Sequence, residues 1–121
     1  MKKIMLVEDD VYIRDVTATR LQNEAFEIIS ASSGEDALSK VSSNKPDLVL
    51  MDLDLPDMYG LEVMSEMKKD QALAQVPFII FSNNDAPEII QKVISSGAND
   101  FFNKSQTDFS EMLAVINRHL Q

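Results

Sequence analysis

Five short apolar runs alternate with five amphipathic stretches along this chain of 121 residues. The runs cover 3–7, 26–31, 48–53, 78–82 and 100–103. Ile4-Met5-Leu6-Val7 and Leu48-Val49-Leu50-Met51 contain no polar alternate, the pattern of strands buried on both faces. Between and after the runs, apolar residues recur at helical spacing. Ile13, Val16, Thr17 and Leu21 line one face of a helix over about 11–23. Ala37, Leu38 and Val41 follow Ser33, and Leu61, Met64 and Met67 follow Gly60. Ile89, Ile90, Val93 and Ile94 mark a fourth helix, and Phe109, Met112, Leu113, Ile116 and Leu120 a fifth. Alternation from end to end predicts an α/β architecture, a parallel sheet with helices on both faces and right-handed crossovers. A chain of this length holds one core, so residues 1–121 read as one domain.

Local signals agree with this division. Asp10 is placed to cap the first helix, and Ser33 with Asp36, Asp85 with Glu88, and Asp108 with Glu111 have capping-box spacing. Gly97 fits the position just past the fourth helix. Pro77 stands at a strand start and Pro87 in a first helical turn, where a missing N–H does least harm.

The chemistry gathers at the strand ends. The first run stops at Glu8-Asp9-Asp10, the third at Asp52 with Asp54 and Asp57 close behind, the fourth at Ser82 and the fifth at Lys104. In an open parallel sheet, ligands bind at the carboxyl ends of the strands near a topological switch point. Acids brought together there raise one another's pKa unless a cation lies among them. Eleven Lys and Arg against twenty Asp and Glu leave a net charge of −9. That balance argues against direct nucleic-acid binding and against adhesion to anionic membranes. No apolar run approaches a membrane span or a signal-peptide core. The lack of cysteine excludes disulfides, thiolate metal sites and thiol nucleophiles, and fits a cytoplasmic location.

Five motifs in order carry a resemblance that covers the whole chain. They are Leu6-Val7-Glu8-Asp9-Asp10, the stretch from Met51-Asp52 through Pro56 to Gly60, Ile80-Phe81-Ser82, Gly97-Ala98, and Lys104. Together the chain resembles the receiver domain of two-component response regulators, the chemotaxis-regulator-like, flavodoxin-like (βα)5 fold with strand order 2-1-3-4-5. The resemblance implies that Asp52 is the phosphoacceptor, taking a phosphoryl group from phosphohistidine. Glu8, Asp9, Asp52 and the backbone carbonyl of Asp54 would hold Mg²⁺ (or Mn²⁺), with Lys104 as counter-charge. Hard oxygen ligands in small number suit Mg²⁺, and a cation plus an ammonium suits the charge spread over a phosphoryl group in transfer. Ser82 and Phe101 would form the switch: the hydroxyl moves to the phosphoryl group, Phe101 turns inward, and the face of helix four, strand five and helix five is remodelled. The resemblance also implies that Asp54 and Asn84 occupy positions that tune dephosphorylation, and that Asn83, where the family commonly has Ala or Gly, would narrow access to the phosphoryl group. The donor would be a histidine kinase or a histidine phosphotransfer protein, and the output an unidentified protein target.

One departure stands out. In the family the lysine is normally followed by proline in a cis peptide bond, but here Ser105 follows Lys104. A non-proline cis bond costs about 2.5–4 kcal/mol, so a trans bond is expected. Competing functions are a haloacid-dehalogenase-like phosphohydrolase using Asp52-Leu53-Asp54, and a phosphate-independent docking module. On the main reading the chain catalyses its own phosphorylation and dephosphorylation at most and is not a metabolic enzyme; only the phosphohydrolase reading would make it one. His119, the sole histidine, reads as a surface residue at a helix end, and Asp57 as a plain loop residue.

Overall fold

The computed structural model describes residues Met1–Gln121. Strands β1 (Lys3–Val7), β2 (Glu27–Ala31), β3 (Leu48–Asp52), β4 (Phe78–Ser82) and β5 (Asp100–Asn103) alternate with helices α1 (Val11–Asn23), α2 (Gly34–Val41), α3 (Gly60–Lys68), α4 (Pro87–Ser95) and α5 (Phe109–His119). One parallel sheet results, in the order β2-β1-β3-β4-β5. The order reverses between β1 and β3, which puts the switch point where Glu8 and Asp52 leave the sheet.

The two-residue period of the strands splits the core in two. Met5, Val7, Val49, Met51, Phe78 and Ile80 pack beneath α2, α3 and α4. Ile4, Leu6, Leu48, Leu50, Ile79 and Phe81 pack on the other side against Leu21 of α1 and Ile116 of α5. Every residue of β3 and β4 is buried, including the terminal Asp52 and Ser82. Burying a large aliphatic side chain stabilises by roughly 1.5–3 kcal/mol, so the two central strands fix the register from which the site projects.

Helix ends explain most boundaries. Asp10, Ser33 and Asp108 each accept the N–H three residues on, as expected of caps. Asp36 reaches back to the N–H of Ser32 rather than closing the box on Ser33. Asp85 does not cap α4: the cap residue is Ala86, without a side-chain bond, and Asp85 accepts from Asn103 Nδ2 instead. Pro87 opens α4 and lacks one of the N–H groups a cap would serve.

Two helices end in the same hydrogen-bonded turn. After α4, Gly97 at φ 110° donates to Ile94, and Ala98 donates to Val93. After α1, Ala25 at φ 68° donates to Gln22, and Phe26 donates to Leu21. The second turn places an alanine in the left-handed region that glycine favours. It also delays β2, whose ladder begins with the Lys3–Glu27 pair rather than at Phe26. The β3 ladder ends at Asp52 rather than Leu53. Of the α1 face expected to be apolar, only Leu21 is buried; Ile13 and Val16 are each 38% exposed.

Candidate functional site

Glu8 and Asp52 are buried at neighbouring strand ends, and Asp9 beside them is exposed. One carboxylate oxygen from each comes within 4.8 Å of the other two, an all-oxygen set. Lys104, on the turn after β5, sends its Nζ to 2.8 Å from Glu8 Oε1 and 2.9 Å from Asp52 Oδ2. The other Asp52 oxygen, Oδ1, accepts the backbone N–H of Asp54 at 2.9 Å. Both oxygens of the carboxylate are thereby held, and each keeps a free lone pair.

Glu8 is anchored from several directions. Its Oε2 accepts the N–H of Asp10 at 3.1 Å, and its main-chain carbonyl accepts Arg14 Nη1 at 2.8 Å. Its Oε1 is buried and meets Lys104 as an ion pair without a well-aligned hydrogen bond. Burial pushes the Glu8 carboxyl up to about 7; the Lys104 contact and the Asp10 N–H pull it down, and the Asp52 charge adds to the rise. For Lys104, burial alone would lower the pKa, but bonds and charges from Glu8 and Asp52 outweigh it and raise it. The ammonium therefore stays charged.

The third part of the site is Ser82, fully buried at the end of β4. Its Oγ donates to Asp54 Oδ2 at 2.8 Å and accepts the N–H of Asn84 at 3.1 Å. Asn84 in turn accepts the N–H of Ala86, and Asn83 is exposed. Phe101 is half-buried against the core cluster shared by α2, α3 and α4.

All peptide bonds are trans, Lys104–Ser105 included. The turn is held by Asn103, whose Oδ1 accepts the N–H and the hydroxyl of Ser105, while its Nδ2 donates to Asp85. Lys104 is fixed on the backbone by its N–H to the Ser82 carbonyl, 3.0 Å. Two further residues support the site in ways the sequence did not signal. Asp57, expected to be a plain loop residue, accepts the N–H groups of Gly34 and Glu35 at 2.8 and 2.9 Å. These backbone bonds hold its carboxyl below the usual range, and they tie the loop after β3 to the start of α2. Gly60 closes the same loop: its N–H donates to Leu53, and a Cβ there would lie 2.6 Å from the Asp52 carbonyl oxygen. His119 is not free at the surface but lies 3.3 Å from Asp100 Oδ2, next to Arg118.

The donor chemistry fits a hard divalent cation. All three side chains offer oxygen, two are buried, and Glu8 Oε1 has coordination capacity that no well-aligned donor uses.

A family model for the response regulator receiver domain matches residues 4–117. The CAI-1 autoinducer sensor kinase/phosphatase CqsS of Vibrio cholerae is 32% identical over 104 residues, 85% of this chain and 15% of that protein. The alkaline phosphatase synthesis transcriptional regulatory protein PhoP of Bacillus subtilis is 28% identical over 103 residues, 85% of this chain and 42% of that protein. The chain thus spans less than half the length of either. Among solved structures, chemotaxis response regulator CheY4 of Vibrio cholerae matches with a TM-score of 0.92 at 25% identity, covering 99% of both chains. Response regulator TrrA of Thermotoga maritima, solved in complex with Mg²⁺ and BeF, matches with a TM-score of 0.87 at 32% identity, covering 99% of this chain and 100% of that one.

Proposed function

The chain belongs to the response regulator receiver domain family, and from that premise we propose that Asp52 is its phosphoacceptor. Receiver domains serve two-component signalling, accept phosphate on aspartate and bind Mg²⁺, which implies histidine kinases as partners. The assignment to particular residues rests on one observation: a buried carboxylate at the end of β3 shares an ammonium with a second buried carboxylate at the end of β1. The haloacid-dehalogenase reading draws no support from the family match or from these contacts.

In the proposed reaction an Asp52 oxygen attacks the phosphorus of a phosphohistidine. The new O–P bond forms as the P–N bond breaks, and the imidazole nitrogen takes back its electron pair. Asp54 N–H fixes the rotation of the carboxylate, so that the nucleophile needs no search for its orientation. The Lys104 ammonium stands where charge accumulates on the phosphoryl oxygens. Glu8, Asp9, Asp52 and the Asp54 carbonyl would hold Mg²⁺ (or Mn²⁺), which when bound supplies further positive charge against those oxygens.

After transfer, Ser82 bonds the phosphoryl group and Phe101 turns toward the space it leaves. Output is read on the face of α4, β5 and α5 by a protein target, with a histidine kinase or histidine phosphotransfer protein as donor. Asn83 and Asn84, following Ser82, shape access for water. We place this activity in the cytoplasm and assign residues 1–121 to one receiver domain, in line with the match over 4–117.

Acetyl phosphate or phosphoramidate with Mg²⁺ tests the assignment. One labile phosphate by mass spectrometry is expected, abolished by EDTA and by Asp52→Asn. A stable adduct elsewhere, or none from several donors, overturns it.

A further inference from the structure

Ser82 has one hydroxyl proton, and in this structure that proton is committed. It goes to Asp54 Oδ2 at 2.8 Å, a charge-assisted bond made by a side chain with no solvent exposure. The oxygen's acceptor capacity is turned to the N–H of Asn84. The backbone of Asp54 is held independently of that bond, while the residue itself is exposed. Its N–H is bonded to Asp52 Oδ1, its backbone pairs with Tyr59, and the Gly60 contact closes the loop behind it. Its carboxylate has no ion pair; the Lys104 ammonium pairs with Glu8 and Asp52.

We propose that the Asp54 carboxylate is a positioning residue that latches the Ser82 hydroxyl away from the phosphorylation site, and that switching requires this bond to be exchanged for one to the phosphoryl group. The inference rests on the reading of Asp52 as phosphoacceptor. A hydroxyl donates once, so the two bonds exclude each other. The same residue therefore senses both partners: its backbone touches the phosphoacceptor, and its side chain restrains the switch. A ligand shifts a two-state equilibrium only by its differential affinity. An acid at position 54 leaves that difference as it is but stabilises the resting state through its bond to Ser82, so the competent state is less populated and the apparent affinity for the phosphoryl group falls. Loss of a hydrogen bond to a charged group is worth about tenfold or somewhat more in an equilibrium.

Beryllofluoride at saturating Mg²⁺ serves as the probe, titrated into wild type, Asp54→Ala, Ser82→Ala and the double variant. Asp54→Ala should bind about tenfold tighter than wild type. Most of that gain should vanish when Ser82 is already alanine, because the latch needs the hydroxyl; only the part due to lost charge repulsion should remain. A second readout uses EDTA-treated protein without beryllofluoride: the Asn84 amide in Asp54→Ala should move toward its position in beryllofluoride-bound wild type. Asp54→Asn, which keeps an acceptor but no charge, should fall between. An equal gain in both Ser82 backgrounds, or an unmoved Asn84 amide, overturns the latch. If wild type binds no beryllofluoride, or binds it equally well as Asp52→Asn, the phosphoacceptor reading fails first and the latch with it.

Discussion

Lys104 faces two buried carboxylates with one positive charge, and its removal leaves both without a counter-charge. Breaking a buried pair by deleting one partner costs about 3–5 kcal/mol, and a loss of that order is expected for Lys104→Ala in denaturant melts with EDTA. Mg²⁺ should recover part of it, because the cation and the ammonium draw on the same oxygens. Glu8 gives a pH signature of definite sign. Its folded-state value near 7 lies above its ordinary one of 4.5. Between the two, the folded protein holds a proton that the unfolded chain releases, so this group's stabilisation is complete below the ordinary value and lost as pH rises through about 7. Metal needs the ionised form. The rise in Tm produced by Mg²⁺ should therefore shrink as pH falls below about 7, a trend that Tm series with Mg²⁺ and with EDTA would show. Glu8→Gln should remove the pH trend while weakening Mg²⁺ binding.

Elements show where local chemistry sufficed and where it did not. Asp10, Ser33 and Asp108 were legible as caps because the acceptor and the N–H it serves lie three residues apart. Asp57 was not, because its partners Gly34 and Glu35 lie over twenty residues away, and no local pattern encodes that distance. Asp85 had the right spacing for a cap, yet the chain turns it toward Asn103 on β5, a tertiary bond that outcompetes the local one. The helix-end turn at Ala25 invites a direct test. An L-residue in the left-handed region costs about 1–2 kcal/mol. Ala25→Gly should stabilise by about 0.5–1 kcal/mol once glycine's greater unfolded-state freedom is subtracted, measurable as a higher denaturation midpoint. Gly60→Ala should do the reverse. Its Cβ would meet backbone atoms of Asp52 and Leu53, at 2.6 and 2.9 Å, that have no rotamer to yield. A loss of roughly 1–3 kcal/mol is expected, together with slower phosphorylation as Asp52 is displaced.

At the scale of the molecule, the sheet was legible because its central strands are apolar without interruption, and the site because those strands release their polar residues at one edge. Glu8, Asp52, Ser82 and Lys104 lie far apart in sequence, and parallel register alone brings them together. What composition could not show is how the edge is pinned: the Ser82–Asp54, Asn103–Asp85 and Asp57–Gly34 bonds all join residues far apart in sequence. The apolar stripe of α1 also proved incompletely covered, since α5 and the sheet bury Leu21 but leave Ile13 and Val16 partly open. Ligand linkage acts on the whole fold. At a hundred times its dissociation constant, Mg²⁺ should add about 2.7 kcal/mol to unfolding, and Asp52→Asn should reduce that increment.

Asp52 closes the β3 ladder opposite Phe81, and Leu53 immediately after it still donates to that strand. Amides in such a central strand open only when the entire structure opens. The proposed phosphoacceptor is thus attached to what should be the slowest clock in the protein, whereas the exposed Ser105 and Asn83 and the Asp54–Tyr59 turn are expected to keep faster time around it. Deuterium should enter the β3 amides at the rate of global unfolding and the surrounding loops long before, so a phosphoryl group could come and go many times within one lifetime of the strand that carries it.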